Sequence, residues 1–518
     1  MDVVMKKYFE KWKFKHPQPS DLKKTIQKVT GLDLDWFFDG MINSNDKLDY
    51  KIQSFQKREE KLEVKIKNTG SINGPILLAG IKDGKPIQQK WYEGFQGKKQ
   101  LDFPAGDYDV LRIDPGLEMP ELNRKNNSIK TKGILKKAEP FRLQLLGSLE
   151  NPNKTQLFCL PTIGWNNYDR WMLGAAFYNS FVIQKKLDWV VMPMYSGTTG
   201  SILGSFDIGY NYLPKRGPFQ NIRMNISGSR YSNGDNTTVL SSDESSSEAV
   251  QASKLKPSIT FGFRKKRARS PFNNEVRFSH YNLSFGNDQG LSCVGLTGNL
   301  CVLSLPAENY YVNKVSWNMY KAFSLNPYDL NISIEQGKSF VKASLEGNYT
   351  ISFKGNNKGL DIRLFSGRFL YNDQESSNAR FGFSLSGNRD YLYDEVLLGR
   401  SETQGLLSNQ FLKNDGGFKG WVDNEVSQSW LTALNIQSSL HRKVPLALYV
   451  DLGWSALDPD NVYMGAGALL PIIPNLFEIY FPCYLSSGLA FPQYEKNIRF
   501  VLNLGRLNPF ELFRGIGS

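Results

Sequence analysis

From about Leu157 to the C-terminus the chain alternates apolar and polar residues in run after run. In the stretch Trp171–Leu213, Ile202, Gly204, Phe206, Ile208, Tyr210 and Tyr212 share one parity, and Ser205, Asp207, Gly209 and Asn211 share the other. A period of two puts the sets on opposite faces of a strand. Ile222, Met224 and Ile226 repeat the pattern, as do Ile259, Phe261 and Phe263. The longest run sets Val341, Ala343, Leu345, Gly347, Tyr349, Ile351 and Phe353 against Lys342, Ser344, Glu346, Asn348, Thr350 and Ser352. Leu446–Trp454 and Ile498–Leu504 close the series. Each run approaches the ~9–11 residues with which a tilted strand crosses a bilayer. The expected fold is mainly β, with a transmembrane antiparallel β-barrel over 157–518. Ile202, Phe206, Ile208 and Tyr210 should face lipid, and Asp207 and Asn211 the lumen.

Seventeen candidate strands centre near 162, 175, 193, 207, 226, 260, 280, 316, 332, 346, 364, 383, 435, 451, 466, 481 and 501. Bacterial single-chain barrels have an even number, so one candidate is expected to be false or split, leaving about sixteen. Segments 181–186, 214–220 and 266–274 read as short turns, and 232–252 and 286–308 as long loops. This is the asymmetry of periplasmic turns and outer loops. A soluble sandwich or propeller also alternates, but a propeller needs a repeat of ~40–50 residues and none is found.

Composition agrees with a barrel. Aromatic residues make up 13% of the chain and hydrophobic residues only 40%. No run of about 18 apolar residues exists to form a transmembrane helix. The net charge of +13 is spread along the chain, so no nucleic-acid partner is expected. The basic run Arg264–Arg269 (RKKRAR) reads as a solvated turn or as a contact for anionic lipid head groups. Cys293 and Cys301 share one Gly-rich segment, where a short disulfide and two free thiols are both open readings.

The front of the chain differs. Residues 1–45 read as helical, with Pro17 and Pro19 breaking the chain, Ser20 as N-cap of a helix from Asp21 to about Thr30, and Gly31 ending it. Residues 46–127 are short alternating strands between Gly, Asn, Asp and Pro turns, a β-sandwich. Residues 128–156 form a basic linker. Tyr8, Phe9, Trp12, Phe14, Pro19, Asp21, Gly31, Leu34, Phe37 and Phe38 resemble the end of the catalytic domain in the aminopeptidase-N family of zinc peptidases. The following sandwich is similar to the small β-domain of that family. The resemblance implies an upstream catalytic domain acting on peptides, with zinc held in a longer parent. MDVVMKKYFEKWKF has no signal-peptide h-region, so Met1 is expected not to be the natural start of an exported barrel. Localisation in the outer membrane, with the N-terminal domains in the periplasm, follows as an expectation, and outer-membrane lipid is the expected partner.

No catalytic, metal or cofactor residue is expected within the chain. His16, His280 and His441 are the only histidines, and none stands in a His-Glu-x-x-His pair one helical turn apart. No Gly-x-Ser-x-Gly elbow or P-loop occurs. Asp207, Glu346 and Asp451 read as solvated lumen carboxylates that pair with Arg223, Lys342 and Arg499. Gly416, Gly417, Lys419 and Gly420, in the long insertion Gly387–Gln428, are similar to the Gly-Gly…Arg-Gly loop of bacterial surface antigen barrels. That resemblance implies a loop folded back into the lumen, with lysine in place of arginine. A plain polar loop is the other reading. Two functions follow: the anchoring C-terminal portion of a zinc aminopeptidase, inactive alone, or a pore or translocation barrel with accessory periplasmic domains.

Overall fold

The computed structural model describes residues 2–137, 139, 141–145, 151, 154–180, 185–239, 245–267, 270–286, 308–321, 325–353, 359–373, 378–395, 397, 405–422, 426–441, 444–473, 476–489 and 491–503. The chain forms two compact units: Met1–Gln144 with Ser148–Leu157, and Leu145–Gly147 with Phe158–Ser518.

In the first unit, α1 is Asp2–Trp12 and α2 is Pro19–Thr30. Helix α2 begins earlier than the expected Ser20 cap. Pro19 occupies its first position, where the missing N–H costs nothing, and the Gln18 N–H donates to the Asp21 carboxylate at 2.9 Å. Gly31 ends it at φ +69°, a left-handed conformation open to glycine. Trp36–Ile42 is a π-helical turn. Its rings meet edge to face, Trp36 on Phe37 at 5.7 Å and Phe37 on Phe38 at 5.3 Å.

The sandwich contains β1 (Tyr50–Lys57), β2 (Lys61–Asn68), β3 (Ile76–Lys82), β4 (Lys85–Tyr92), β5 (Lys98–Pro104), β6 (Val110–Ile113) and β7 (Ser128–Lys130). One sheet runs β1-β2-β5 and the other β4-β3-β6-β7. Val64, Ile66, Leu78, Phe103 and Leu111 are fully buried in its core, and Trp36 packs against them. The segment before β7 is tied down by one carboxylate. Buried Asp114 accepts hydrogen bonds from the N–H groups of Glu118 and Met119, both at 2.9 Å, and pairs with Arg124 at 2.8 Å. Regular structure therefore continues into the stretch read as a linker, through β7 and β8 (Phe141–Leu145).

The barrel strands continue as β9 (Thr155–Asn166), β10 (Arg170–Tyr178), β11 (Leu187–Ser196), β12 (Ile202–Tyr212), β13 (Phe219–Val239) and β14 (Ser245–Phe263). Next come β15 (Phe272–Phe285), β16 (Glu308–Lys321), β17 (Tyr328–Gln336), β18 (Phe340–Ser352) and β19 (Gly359–Asn372). The two-residue strands β20 (Phe383–Ser384) and β21 (Val426–Ser427) pair with each other and not with the wall. The wall resumes with β22 (Trp430–His441), β23 (Val444–Ser455), β24 (Asp458–Ile473), β25 (Phe477–Leu485) and β26 (Arg499–Leu502). The sheet closes in the order β9 to β19, β22 to β26, β8. Of the expected centres, the one near 383 is false as a wall strand: it falls on β20. The sheet has seventeen strands because β8 joins it. Phe141, Leu143 and Leu145 alternate there, but five residues are too few to read as a span.

The faces separate as expected. Ile202, Ile208, Tyr210 and Tyr212 are exposed on β12, and Asn211 is buried. Trp165 lies opposite Trp171 near one end of the wall, with Tyr195 close by, and Tyr328 lies opposite Tyr349 near the other end. Aromatic rings thus mark both ends of an apolar outer band, as in transmembrane barrels. Segment 232–252 is not the expected loop. β13 and β14 keep pairing as far as Val239 and Ser245, because backbone pairing beyond an apolar band needs no apolar side chains. Most of 286–308, with Cys293 and Cys301, lies outside the described residues.

Glu121 in the sandwich unit supplies a pH test. Burial, helped by nearby Asp49 and Asp114, raises its carboxyl to about 7 against the opposing hydrogen bond from Asn127 and the charge of Arg124. The folded state keeps this proton to higher pH than the unfolded chain, so the stability it contributes is complete below about 4.5 and is lost as pH rises towards 7. E121Q should therefore raise the sandwich's melting temperature at pH 8 and leave it nearly unchanged at pH 4, as followed by circular dichroism of the full chain in detergent. Equal effects at both pH values would contradict this account.

Candidate functional site: the filled barrel interior

The long connection between β19 and β22 places its described residues in the lumen. Its described parts, 378–395 and 405–422, bond to inward-facing side chains from β14 round to β26. The loop is therefore not a plain surface loop, and the reading of Gly416–Gly420 as an inward fold holds.

The tip is an arch of small residues around one aromatic ring. The Gly416 N–H donates to the Ser384 carbonyl at 3.0 Å, and the Phe418 N–H to the Leu385 carbonyl at 2.9 Å. A Cβ on Gly416 would meet the Leu385 backbone at 2.5 Å. Gly417 has φ +63°, and a Cβ there would meet Arg363. Phe418, fully buried, packs among Phe365, Phe383, Leu385 and Leu431.

The next residue fastens the arch to the wall. Lys419 Nζ pairs with Asp451 Oδ1 on β23 at 2.5 Å, and the Lys419 N–H donates to Asp451 Oδ2 at 3.0 Å. Side-chain exposures are 1% and 0%, so neither charge reaches solvent. Asn435 on β22 donates to Asp451 Oδ1 at 2.9 Å and to the Gly416 carbonyl at 3.0 Å. Arg363 on β19 donates to the Asp415 carbonyl and to Asn435 Oδ1, both at 2.9 Å, and pairs with Glu346 at 2.7 Å. From β26, Arg499 donates to the carbonyls of Ser386 at 3.0 Å and Phe418 at 2.9 Å, and its guanidinium lies 4.1 Å from the Trp421 ring.

Two further clusters hold the other limb. Glu335 on β17 pairs with Lys314 at 2.8 Å and Lys342 at 3.6 Å, and accepts a hydrogen bond from the Tyr391 hydroxyl. Asp394 in the insert pairs with Lys254 at 2.9 Å and Lys256 at 2.8 Å on β14, and accepts from Tyr281 at 2.7 Å.

The expected pairing is thus partly rearranged. Asp207 does meet Arg223, at 3.4 Å. Asp451 is buried and ion-paired rather than solvated. Glu346 goes to Arg363, Lys342 to Glu335, and Arg499 to backbone carbonyls. Sequence reasoning passed over Asp394 and Tyr391, because the insert has no periodicity to show which residues face the wall. It passed over Glu335 as well, which stands opposite Lys342 on the neighbouring strand and pairs with it. His16 is exposed, His280 bonds Asn313 at 2.7 Å on the outer face, and His441 ends β22. Among the described residues no group of three or more His, Cys, Asp and Glu is placed to hold a metal ion.

No family model matches the chain, and no curated protein matches it. Among solved structures, CdiB from Acinetobacter baumannii is similar over 64% of this chain and 58% of its own, at 14% identity and TM-score 0.33. The chain thus spans 58% of that protein's length. BamA from Haemophilus ducreyi lacking POTRA domains 1–3 is similar over 67% of this chain and 72% of its own, at 10% identity and TM-score 0.35. The barrel assignment rests on the hydrogen-bonded strand order.

K419A should leave the Asp451 carboxylate buried without its cation, a loss of about 3–5 kcal/mol. K419M/D451L removes both charges and should cost much less. Protease cleavage within 405–422 of the folded, detergent-solubilised chain measures the difference. Equal cleavage of the two variants would show that the stranded charge is not what matters.

Proposed function

We propose that this chain is the barrel portion of an outer-membrane device that passes or inserts a polypeptide, held closed at rest by its own luminal segment, with the N-terminal unit in the periplasm. The observation that carries this reading is a wide wall filled from within. About eight strands already make a membrane-spanning wall whose interior side chains can fill. Anchoring alone therefore does not call for seventeen strands. A passive pore, conversely, has no use for a segment bonded to strands from β14 to β26. Charged contacts on both limbs fasten the insert without covalent attachment, so it can be released. The inward polar network of Asp188, Asn211 and Arg223 on β11–β13 supplies a hydrophilic wall suited to an extended chain.

The membrane anchor of a zinc aminopeptidase is the second reading, favoured by the packing residues of the first 45 positions. It needs a His-Glu-x-x-His helix encoded outside the sequence in hand, with zinc held there. Upstream small α/β modules would sink it.

Planar-bilayer recording tests the first reading. The full chain should conduct little, whereas deletion of residues 405–420 should give a steady, large, voltage-independent conductance. A full chain that conducts as strongly as the deletion variant would overturn it.

A further inference from the structure

We infer that the short-turn end of the barrel is a basic rim that selects anionic phospholipid head groups from the adjoining leaflet. The inference rests on the membrane-barrel reading above.

Antiparallel strands alternate in direction, so the strand ends that lead into the connections after β10, β12, β14, β16, β18, β22 and β24 all lie at one end. The described residues of these connections are 179–180, 185–186, 213–218, 264–267, 270–271, 325–327, 353 and 476. Three of the connections carry described basic residues: Lys185 and Lys186, Lys215 and Arg216, and Arg264, Lys265, Lys266 and Arg267. Together the described residues hold eight Lys and Arg and no Asp or Glu. The whole chain has 63 basic and 50 acidic residues, so a mixed sample of that size would contain several acids. The connections at the opposite end do contain them, Asp169 after β9 and Asp373 after β19. Arg264–Arg267 is therefore one arc of a larger rim rather than an isolated basic turn.

A second observation sets the rim at head-group depth. Just inside these turns, the outer face carries rings: Tyr210 and Tyr212 on β12, Phe219 on β13, Phe261 and Phe263 on β14, Tyr349 on β18. Phe219 touches Phe261 at 5.1 Å and Phe263 at 5.4 Å, which makes the belt continuous across the β13–β14 pair. Aromatic belts lie at the membrane–water boundary. The next residues outward are then level with the phosphates. Lys186 Nζ lies 5.8 Å from the centre of the Tyr210 ring, and Lys321 Nζ lies 6.0 Å from that of Tyr328. Lys215, Arg216, Lys266 and Arg267 are exposed. Arg264 instead serves the turn, donating to the Pro214 carbonyl at 2.8 Å and the Gly217 carbonyl at 3.1 Å. Its neighbours are left to face outward.

Basic side chains at a membrane surface attract anionic lipid, and the attraction is screened within a Debye length. The chemistry selected is a phosphodiester with net negative charge, as in phosphatidylglycerol, over the zwitterionic phosphatidylcholine.

The test reconstitutes the full chain in phosphatidylcholine bilayers carrying spin-labelled phosphatidylglycerol or spin-labelled phosphatidylcholine, and reads the motionally restricted fraction by electron paramagnetic resonance. The wild type should hold the anionic label about fivefold more strongly. The preference should shrink towards one in K215Q/R216Q/K265Q/K266Q/R267Q and in high salt, and persist in K338Q/K496Q, which neutralises the opposite end. Equal retention of both labels by the wild type, or a preference unchanged by the five substitutions, would overturn the inference. Failure of the wild type to enter bilayers at all would overturn the membrane-barrel reading itself.

Discussion

A sheet surrounded by hydrocarbon has no water to satisfy an open edge, so it must close on itself. Most of the chain beyond Leu157 answers to that constraint. Closure fixes an inside and an outside, and strict alternation then assigns each side chain to one of them. The same parity that puts Ile202 and Tyr210 on the outer face of β12 puts Asn211 beside Asp188 and Arg223. The outer face needs only to be apolar, with rings at its two margins. The inner face has to satisfy every charge it carries.

The chain itself does much of this. The insert between β19 and β22 brings in Lys419 for Asp451, Asp394 for Lys254 and Lys256, and Tyr391 for Glu335. Backbone carbonyls of the arch serve Arg363 and Arg499. Wall and insert are each incomplete alone, because either would leave buried charges without partners. That mutual dependence holds a glycine-rich segment with little regular structure in one place.

Alternation made the wall legible from sequence, since period two is a local property that each strand displays by itself. Val341–Phe353 could be read with no knowledge of its neighbours. The insert was legible only at Gly416–Gly420, where small residues crowd around Phe418 and Lys419 for steric reasons. Its other limb was hidden. Nothing local tells Asp394 from an ordinary loop aspartate, because its meaning comes from lysines 138 and 140 positions away in sequence. Phe381, Phe383 and Leu385 mimic a wall strand, since they alternate as wall residues do. Phe383 and Leu385 nevertheless pack with Phe365 and Phe418 inside the lumen. Parity reports two faces, not which sheet they belong to. Likewise, Pro19 and Ser20 both signal a helix start, and only the Gln18–Asp21 hydrogen bond decides between them.

The place of the insert in the chain also dictates an order of events. Its two ends are tied to β19 and β22, while the residues that grip its tip, Asp451 and Arg499, belong to β23 and β26. The arch thus completes its contacts on strands that come later in the chain than either of its ends. Those contacts cannot exist before β23 and β26 have joined the wall. The ion pair of Lys419 with Asp451 is thus a late contact, formed only when the wall has wrapped far enough to present its partner.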